Sequence, residues 1–179
     1  MSAIKHLFAV MACLCAYALS GFSQERASSV SELLASMPEG KCVAADYSMT
    51  VETEGRVGIN YAGRLWWQNG MFRVEGDGYS IFCDGVHIWT EDSVAGEIVR
   101  EGAVPLDSLI PSSGAGESGM KVSRTPDGGK ITRIFLKMKN GASVSIDVPS
   151  MDFIGLKDAG WFAFDEKSVP EGFVFTALD

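Results

Sequence analysis

The chain has 179 residues, of which 46% are apolar, and carries 23 acidic side chains against 15 Lys and Arg, a net charge of −8. A balance this acidic repels the phosphates of nucleic acid and of anionic lipid headgroups, which argues against binding driven by either. The length suits one domain with its own core.

The chain opens with Lys5 and His6, an uncharged apolar run from Leu7 to Leu19, and the small or polar cluster Ser20-Gly21-Phe22-Ser23. That order of charged, apolar and small segments is the pattern of a secretory signal peptide. The run, at about 13 residues, is too short to cross a bilayer comfortably. Residues 1–23 are therefore expected to be a signal peptide, cleaved after Ser20 or Ser23, and residues 24–179 a single domain. A lipobox ending at Cys13 is the competing reading, but it leaves only the short run Leu7–Ala12 before the cysteine. Cys13 and Cys15 leave with the signal, while Cys42 and Cys83 remain, in a compartment where disulfides form.

After a polar leader, Ser28 to Met37 reads as a short helix. Ser29 and Glu32 make a capping box, Val30, Leu33, Leu34 and Met37 form one stripe, and Pro38 and Gly40 end it. Alternation follows. Val43, Ala45, Tyr47, Met49 and Val51 fall on one side of a first strand, and Val57, Ile59, Tyr61, Leu65 and Trp67 on one side of a second. Phe72 and Val74 continue the pattern, which is that of strands with one apolar and one polar face. The links Glu54-Gly55, Asn69-Gly70, Asp77-Gly78 and Asp84-Gly85 are tight-turn pairs, which predicts an antiparallel meander. Val104 to Pro111 is a proline-bracketed helical piece with Leu106, Leu109 and Ile110 on one side, and 112–119 is a Gly/Ser loop. Strands resume at 120–125, 131–139 and 142–148, and 161–164 and 173–177 read as closing strands. About ten strands with two small amphipathic covers predict a mainly β fold: a meander curled into an unclosed half-barrel with helical lids. In such a meander Cys42 and Cys83 stand three strands apart, roughly 14 Å. A disulfide needs Cα atoms within about 7 Å, so two free thiols are expected, conditional on that topology.

Little in the chain points to catalysis. The mature chain has one histidine, His87, in a strand-like segment, and no G-x-S-x-G nucleophile elbow. Asp46, Asp84, Asp92, Glu97 and Asp107 sit at turns or polar strand positions, where a solvated role is the ordinary one. Two isolated thiols and one histidine make a poor zinc set. Gly76-Asp77-Gly78 is a turn, since no helix start follows it to bind phosphate. No catalytic residue, metal or cofactor is expected. What remains is a long apolar sheet face with slight helical cover, an arrangement suited to acyl chains.

Three segments, Gly63-Arg64-Leu65-Trp66, Met71-Phe72-Arg73-Val74-Glu75 and Asp84-Gly85-Val86-His87-Ile88-Trp89, resemble the G-x-L-W, F-R-x-E and D-G-x-x-I-W pattern of the periplasmic lipoprotein carrier (LolA) family. The ending Phe162-Ala163-Phe164-Asp165 with Val169-Pro170-Glu171-Gly172-Phe173 resembles that family's F-x-F and P-x-G close. The likeness spans about residues 29–179, and the Val148-Pro149-Ser150 segment is similar to the short, Bacteroidetes-type form. It implies an eleven-stranded unclosed barrel with a lid over an acyl-chain cavity and no covalent chemistry. It also implies loading by an inner-membrane lipoprotein-releasing transporter and delivery to an outer-membrane acceptor. Where the family often has an Arg-Pro pair anchoring the lid, this chain has Trp67-Gln68-Asn69-Gly70.

By alternation the cavity wall is expected to comprise Tyr47, Met49, Ile59, Tyr61, Leu65, Trp67, Phe72, Val74, Val86 or Ile88, Ile134 and Leu136. Leu33, Leu34, Leu106 and Leu109 are the expected lid residues. Trp66 belongs to the family pattern, yet alternation points it to the opposite face. The expected protein is a monomeric, periplasmic, non-enzymatic carrier. Two alternatives are an envelope-stress sensor or regulatory binding module on the same fold, and a secreted hydrolase built on His87.

Overall fold

The computed structural model describes residues 39–53, 56–103, 119–126, 130–137 and 143–178. The expected helices at 28–37 and 104–111 lie outside them. Ten strands form one sheet among the described residues: β1 (Cys42–Thr53), β2 (Arg56–Gln68), β3 (Met71–Gly76), β4 (Tyr79–Cys83), β5 (His87–Asp92), β6 (Glu97–Gly102), β7 (Gly119–Arg124), β8 (Ile131–Lys137), β9 (Ser143–Ile154) and β10 (Val174–Leu178). The sheet is an unclosed half-barrel with the order β10-β6-β5-β4-β3-β2-β1-β9-β8-β7.

β1 to β6 are the expected meander. At the β2–β3 hairpin Asn69 and Gly70 have φ of 50° and 81°, the positive values that a two-residue loop matched to strand twist requires. The second half departs from a simple meander. β9 returns to pair with β1, which places the long strands β2, β1 and β9 side by side in the middle of the sheet. β10 joins the other end, parallel to β6.

β9 is also longer than alternation indicates. The expected strand ends at Val148, whereas the structure continues to Ile154 through a bulge at Val148-Pro149, where Asp46 pairs with Ser150 and Ser48 with Asp147. Proline has no N–H for the ladder and is tolerated at such a bulge. The extra residue moves the buried positions from Val144, Ile146 and Val148 to Met151, so the even-numbered pattern breaks there.

The segment 161–164, expected as a strand, is not one. Ala159–Phe162 and Glu166–Ser168 are single 3-10 turns, capped by the side chains of Asp158 and Asp165. They belong to a strap, 155–173, that crosses one face of the sheet from β9 to β10. A parallel partner for β6 requires such a crossover, since a tight hairpin yields antiparallel pairs.

Candidate ligand-binding site

The sheet buries different side chains on its two faces. On the inner face Val43, Ala45, Tyr47, Met49, Leu65, Trp67, Phe72, Val74, Ile81 and Cys83 join Ile131, Ile134, Val144, Ile146, Val148 and Met151 in one apolar cluster. Register turns this cluster into rows across the strands. One row is Phe153, Val43, Trp67, Phe72 and Cys83; the next is Met151, Ala45, Leu65, Val74 and Ile81.

Of the expected wall, Tyr47, Met49, Leu65, Trp67, Phe72, Val74 and Ile134 are buried in this cluster, and Tyr61 and Ile88 are half-buried against it. Val86, the alternative to Ile88, is 65% exposed in the β4–β5 link. Ile59 and Leu136 belong to β2 and β8, but their side chains lie outside the description, as do the lid residues Leu33, Leu34, Leu106 and Leu109. Sequence reasoning left out Ile81, Cys83, Val144 and Ile146, although each obeys period-two alternation within its strand. Met151 was hidden by the bulge.

A tyrosine bridge spans the third row. Tyr47 is cross-strand from Gly63, Gly63 from Gly76, and Gly76 from Tyr79. The Tyr47 and Tyr79 hydroxyls meet in a short hydrogen bond, and Tyr61 sets its ring edge-on to Tyr79 at 5.9 Å. A Cβ on Gly76 would lie 2.1 Å from the Tyr79 ring, so this glycine makes room for the phenol. Burial pushes the Tyr79 pKa up, against the opposing effect of the Tyr47 bond, and burial likewise raises Tyr61. Both phenols therefore hold their protons above the ordinary range. The Trp67 indole Nε1 is buried on the same face with no hydrogen-bond partner among the described residues.

The outer face carries the strap. A single row, Ala44, Trp66, Arg73, Phe82, Trp89 and Arg100, runs across β1 to β6. The strap follows it. Trp161 packs edge-on to Trp66 at 5.9 Å and lies 4.3 Å under the Arg73 guanidinium, which also covers Phe82 at 4.7 Å. Phe164 meets Phe82 at 5.6 Å, and Phe162 is fully buried. Glu166 accepts hydrogen bonds from Trp89 Nε1 and Arg100, both at 3.0 Å. The Trp89 bond, then Arg100, holds the Glu166 carboxyl below its ordinary pKa. Buried Gln68 fixes the strap's first residues, accepting from Lys157 N–H at 2.7 Å and donating to Lys157 C=O at 2.9 Å. Trp66 thus faces outward, as alternation points it, and packs against the strap. The segments that carry the family resemblance are largely the two halves of this clamp.

Of the carboxylates considered for catalysis, Asp84 and Asp92 shape turns, Asp46 pairs with a cation, and Glu97 lies in β6 opposite Asp92. Asp84 Oδ1 accepts the backbone N–H groups of Val86 and His87, both at 2.7 Å, and Asp92 Oδ1 those of Val94 and Ala95. Asp46 faces Arg64 at 3.8 Å. His87 Nδ1 is 3.8 Å from Asp84 Oδ2, and its ring rests beside Trp89. Asp107 lies outside the described residues. Cys42 and Cys83 are free, in strands three apart, as the meander predicts.

No protein-family model and no curated protein matches the chain. Among solved structures it is similar to an uncharacterized conserved protein from Thermus thermophilus, at 13% identity and TM-score 0.49, covering 99% of this chain and 100% of that one. It is also similar to a LolA superfamily protein from Nitrosomonas europaea, at 10% identity and TM-score 0.45, over 71% of this chain and 92% of that one. A third is a DUF1329 family protein from Desulfovibrio piger, at 9% identity and TM-score 0.41, over 74% and 92%.

Proposed function

We propose that this protein is a non-enzymatic carrier that shields the acyl chains of lipoproteins and ferries them through the periplasm from the inner to the outer membrane. The observation that carries the reading is the inner face: Met49, Leu65, Phe72, Val74 and Ile134, from four different strands, form one apolar surface on a sheet that does not close. Each methylene taken from water contributes about 0.8 kcal/mol, so an acyl chain crossing an aqueous space needs such a host. The outer face is occupied by the protein's own strap, and the reading assigns cargo to the apolar inner face.

The signal-like residues 1–23 support a periplasmic location, and no helix among the described residues is long and apolar enough to cross a membrane. In this reading a monomer receives its cargo from an inner-membrane lipoprotein-releasing transporter and passes it to an outer-membrane acceptor, without cofactor or covalent step. The cycle then requires cargo affinity to differ between two states of the cover. The Arg-Pro lid anchor of the resembling family has no counterpart at 67–70, where Gln68 holds the strap instead.

The test is native mass spectrometry of the mature protein with a triacylated lipopeptide. A 1:1 complex is expected, and Leu65→Asn should weaken it, with circular dichroism establishing that the variant is folded. Absence of a complex with every diacyl and triacyl ligand tried refutes carriage.

A further inference from the structure

Trp67 is 6% exposed, and its Nε1 has no acceptor among the described residues. Its cross-strand neighbours, Val43 and Phe72, are apolar and equally buried. A buried donor without a partner forfeits the hydrogen bond it had in water, so native structures provide one or hold the group for a purpose. Two other orphaned donors, Arg73 Nε and Trp161 Nε1, sit on the outer face in half-buried residues stacked on one another. Trp67 differs from both: it is almost wholly buried, and it is part of the inner-face cluster.

We propose that the Trp67 indole N–H donates a hydrogen bond to the carbonyl oxygen of an ester- or amide-linked acyl chain on the inner face. The site thereby selects acyl lipids over ether lipids or hydrocarbons of equal length. The inference rests on the carrier reading above and assigns the polar contact within it.

The chemistry of the ligand follows from the donor. Indole donates and cannot accept, so its partner is an acceptor. A free carboxylate is an acceptor, but burying its charge beside Val43 and Phe72 is costly. A neutral carbonyl meets both conditions, whereas an ether oxygen accepts weakly and a methylene not at all. The Tyr47 and Tyr79 hydroxyls of this face already bond to each other. With the carbonyl at Trp67, the chain runs along β2 past Leu65 toward the tyrosine bridge at Gly63, four residues or roughly 13 Å away.

The test measures affinities of the mature protein for three probes: a diacylglyceryl-cysteine peptide with ester-linked palmitoyl chains, the same peptide with ether-linked chains, and dipalmitoyl phosphatidylglycerol. The ester peptide should bind about tenfold more tightly than its ether counterpart, the usual penalty for leaving a buried donor unpaired. Trp67→Phe should abolish the preference for the ester peptide over its ether counterpart. Replacement of Trp67 by benzothienylalanine, which swaps N–H for sulfur at nearly constant volume, should do the same if the Phe variant does not fold. Phospholipid binding that Trp67→Phe weakens upholds the carbonyl contact and extends it to glycerolipids; phospholipid binding that Trp67→Phe leaves unchanged overturns it. Equal affinity for ester and ether peptides, or a preference that survives benzothienylalanine, overturns the inference and leaves the carrier reading intact. Failure of all three probes to bind overturns both.

Discussion

Burial governs the chemistry of the two thiols. Cys83 lies in the inner-face cluster, and burial pushes its pKa from 9.0 up to about 11, with a backbone hydrogen bond from Gly85 acting in the opposite sense. Burial also raises Cys42, against Lys157 and the Trp67 backbone. A raised thiol pKa keeps the sulfur protonated and unreactive. The consequence for stability has a definite sign: between pH 9.0 and about 11 the unfolded chain has released a proton that the folded chain retains. Stability therefore falls as pH rises through that window, by up to about 1.4 kcal/mol per unit. Urea unfolding at pH 8 and pH 10.5 should show this loss, and Cys83→Ala should remove its share; a variant with an unchanged pH slope would refute the assignment.

Two glycines inside strands separate a tight site from a yielding one. A Cβ on Gly63 would stand 2.0 Å from the Glu75 carbonyl oxygen and 2.9 Å from Gly76 Cα, both backbone atoms that move only if β2 and β3 part. On Gly76 the obstacle is the Tyr79 ring, which can swing at the cost of its bond to Tyr47. Gly63→Ala should therefore destabilise by about 3 kcal/mol or more, and Gly76→Ala by less. Thermal unfolding that ranks the two in the opposite order would contradict this account.

Among the elements, the strap depends on a few strong contacts. The 3-10 turns lack repeating backbone ladders, so side chains hold them: Gln68 at one end, the Arg73–Trp161 stack in the middle, Glu166 at the other. Gln68→Ala removes a donor and an acceptor from the half-buried backbone of Lys157, at a cost of about 1–3 kcal/mol. Hydrogen exchange should quicken at the Lys157 amide and around Trp161 while β1 and β9 stay protected. Uniform quickening over the whole sheet would mean that Gln68 supports the core rather than the strap.

At the scale of the molecule, the two faces differ: the outer face packs against the strap, and the inner face carries the apolar cluster that the carrier reading assigns to cargo. Cargo held by apolar contact should bind with a negative heat-capacity change and little dependence on salt. Isothermal titration of the lipopeptide between 50 and 300 mM salt is expected to change affinity by about twofold or less. A steep salt dependence would indicate that charged groups, not the inner face, hold the ligand.

Much of this was legible in the residues. Period-two alternation placed Tyr47, Met49, Leu65, Trp67, Phe72, Val74 and Ile134 on one buried face, because pleating sends neighbouring side chains to opposite sides. Asn69-Gly70 marked its hairpin through backbone geometry that few other residues adopt without strain. Those features are local, fixed by a few adjacent residues. Alternation failed where the cause was distant. The bulge at Pro149 shifts parity in a strand whose partner, β1, lies about a hundred residues earlier in the chain. Trp161-Phe162-Ala163-Phe164 has the composition of a strand, yet becomes a strap because Trp66, Arg73 and Phe82 offer it a ring-and-cation surface. The sequence by itself determined the meander of β1 to β6, the Asn69-Gly70 turn within it and the apolar face of β1 to β3. Only the tertiary structure decided that β9 lies beside β1, that β10 runs parallel to β6, and that the outward Trp66 meets Trp161 of the strap. Pairing between distant segments is chosen by the energy of the whole assembled sheet, which no local window of residues contains.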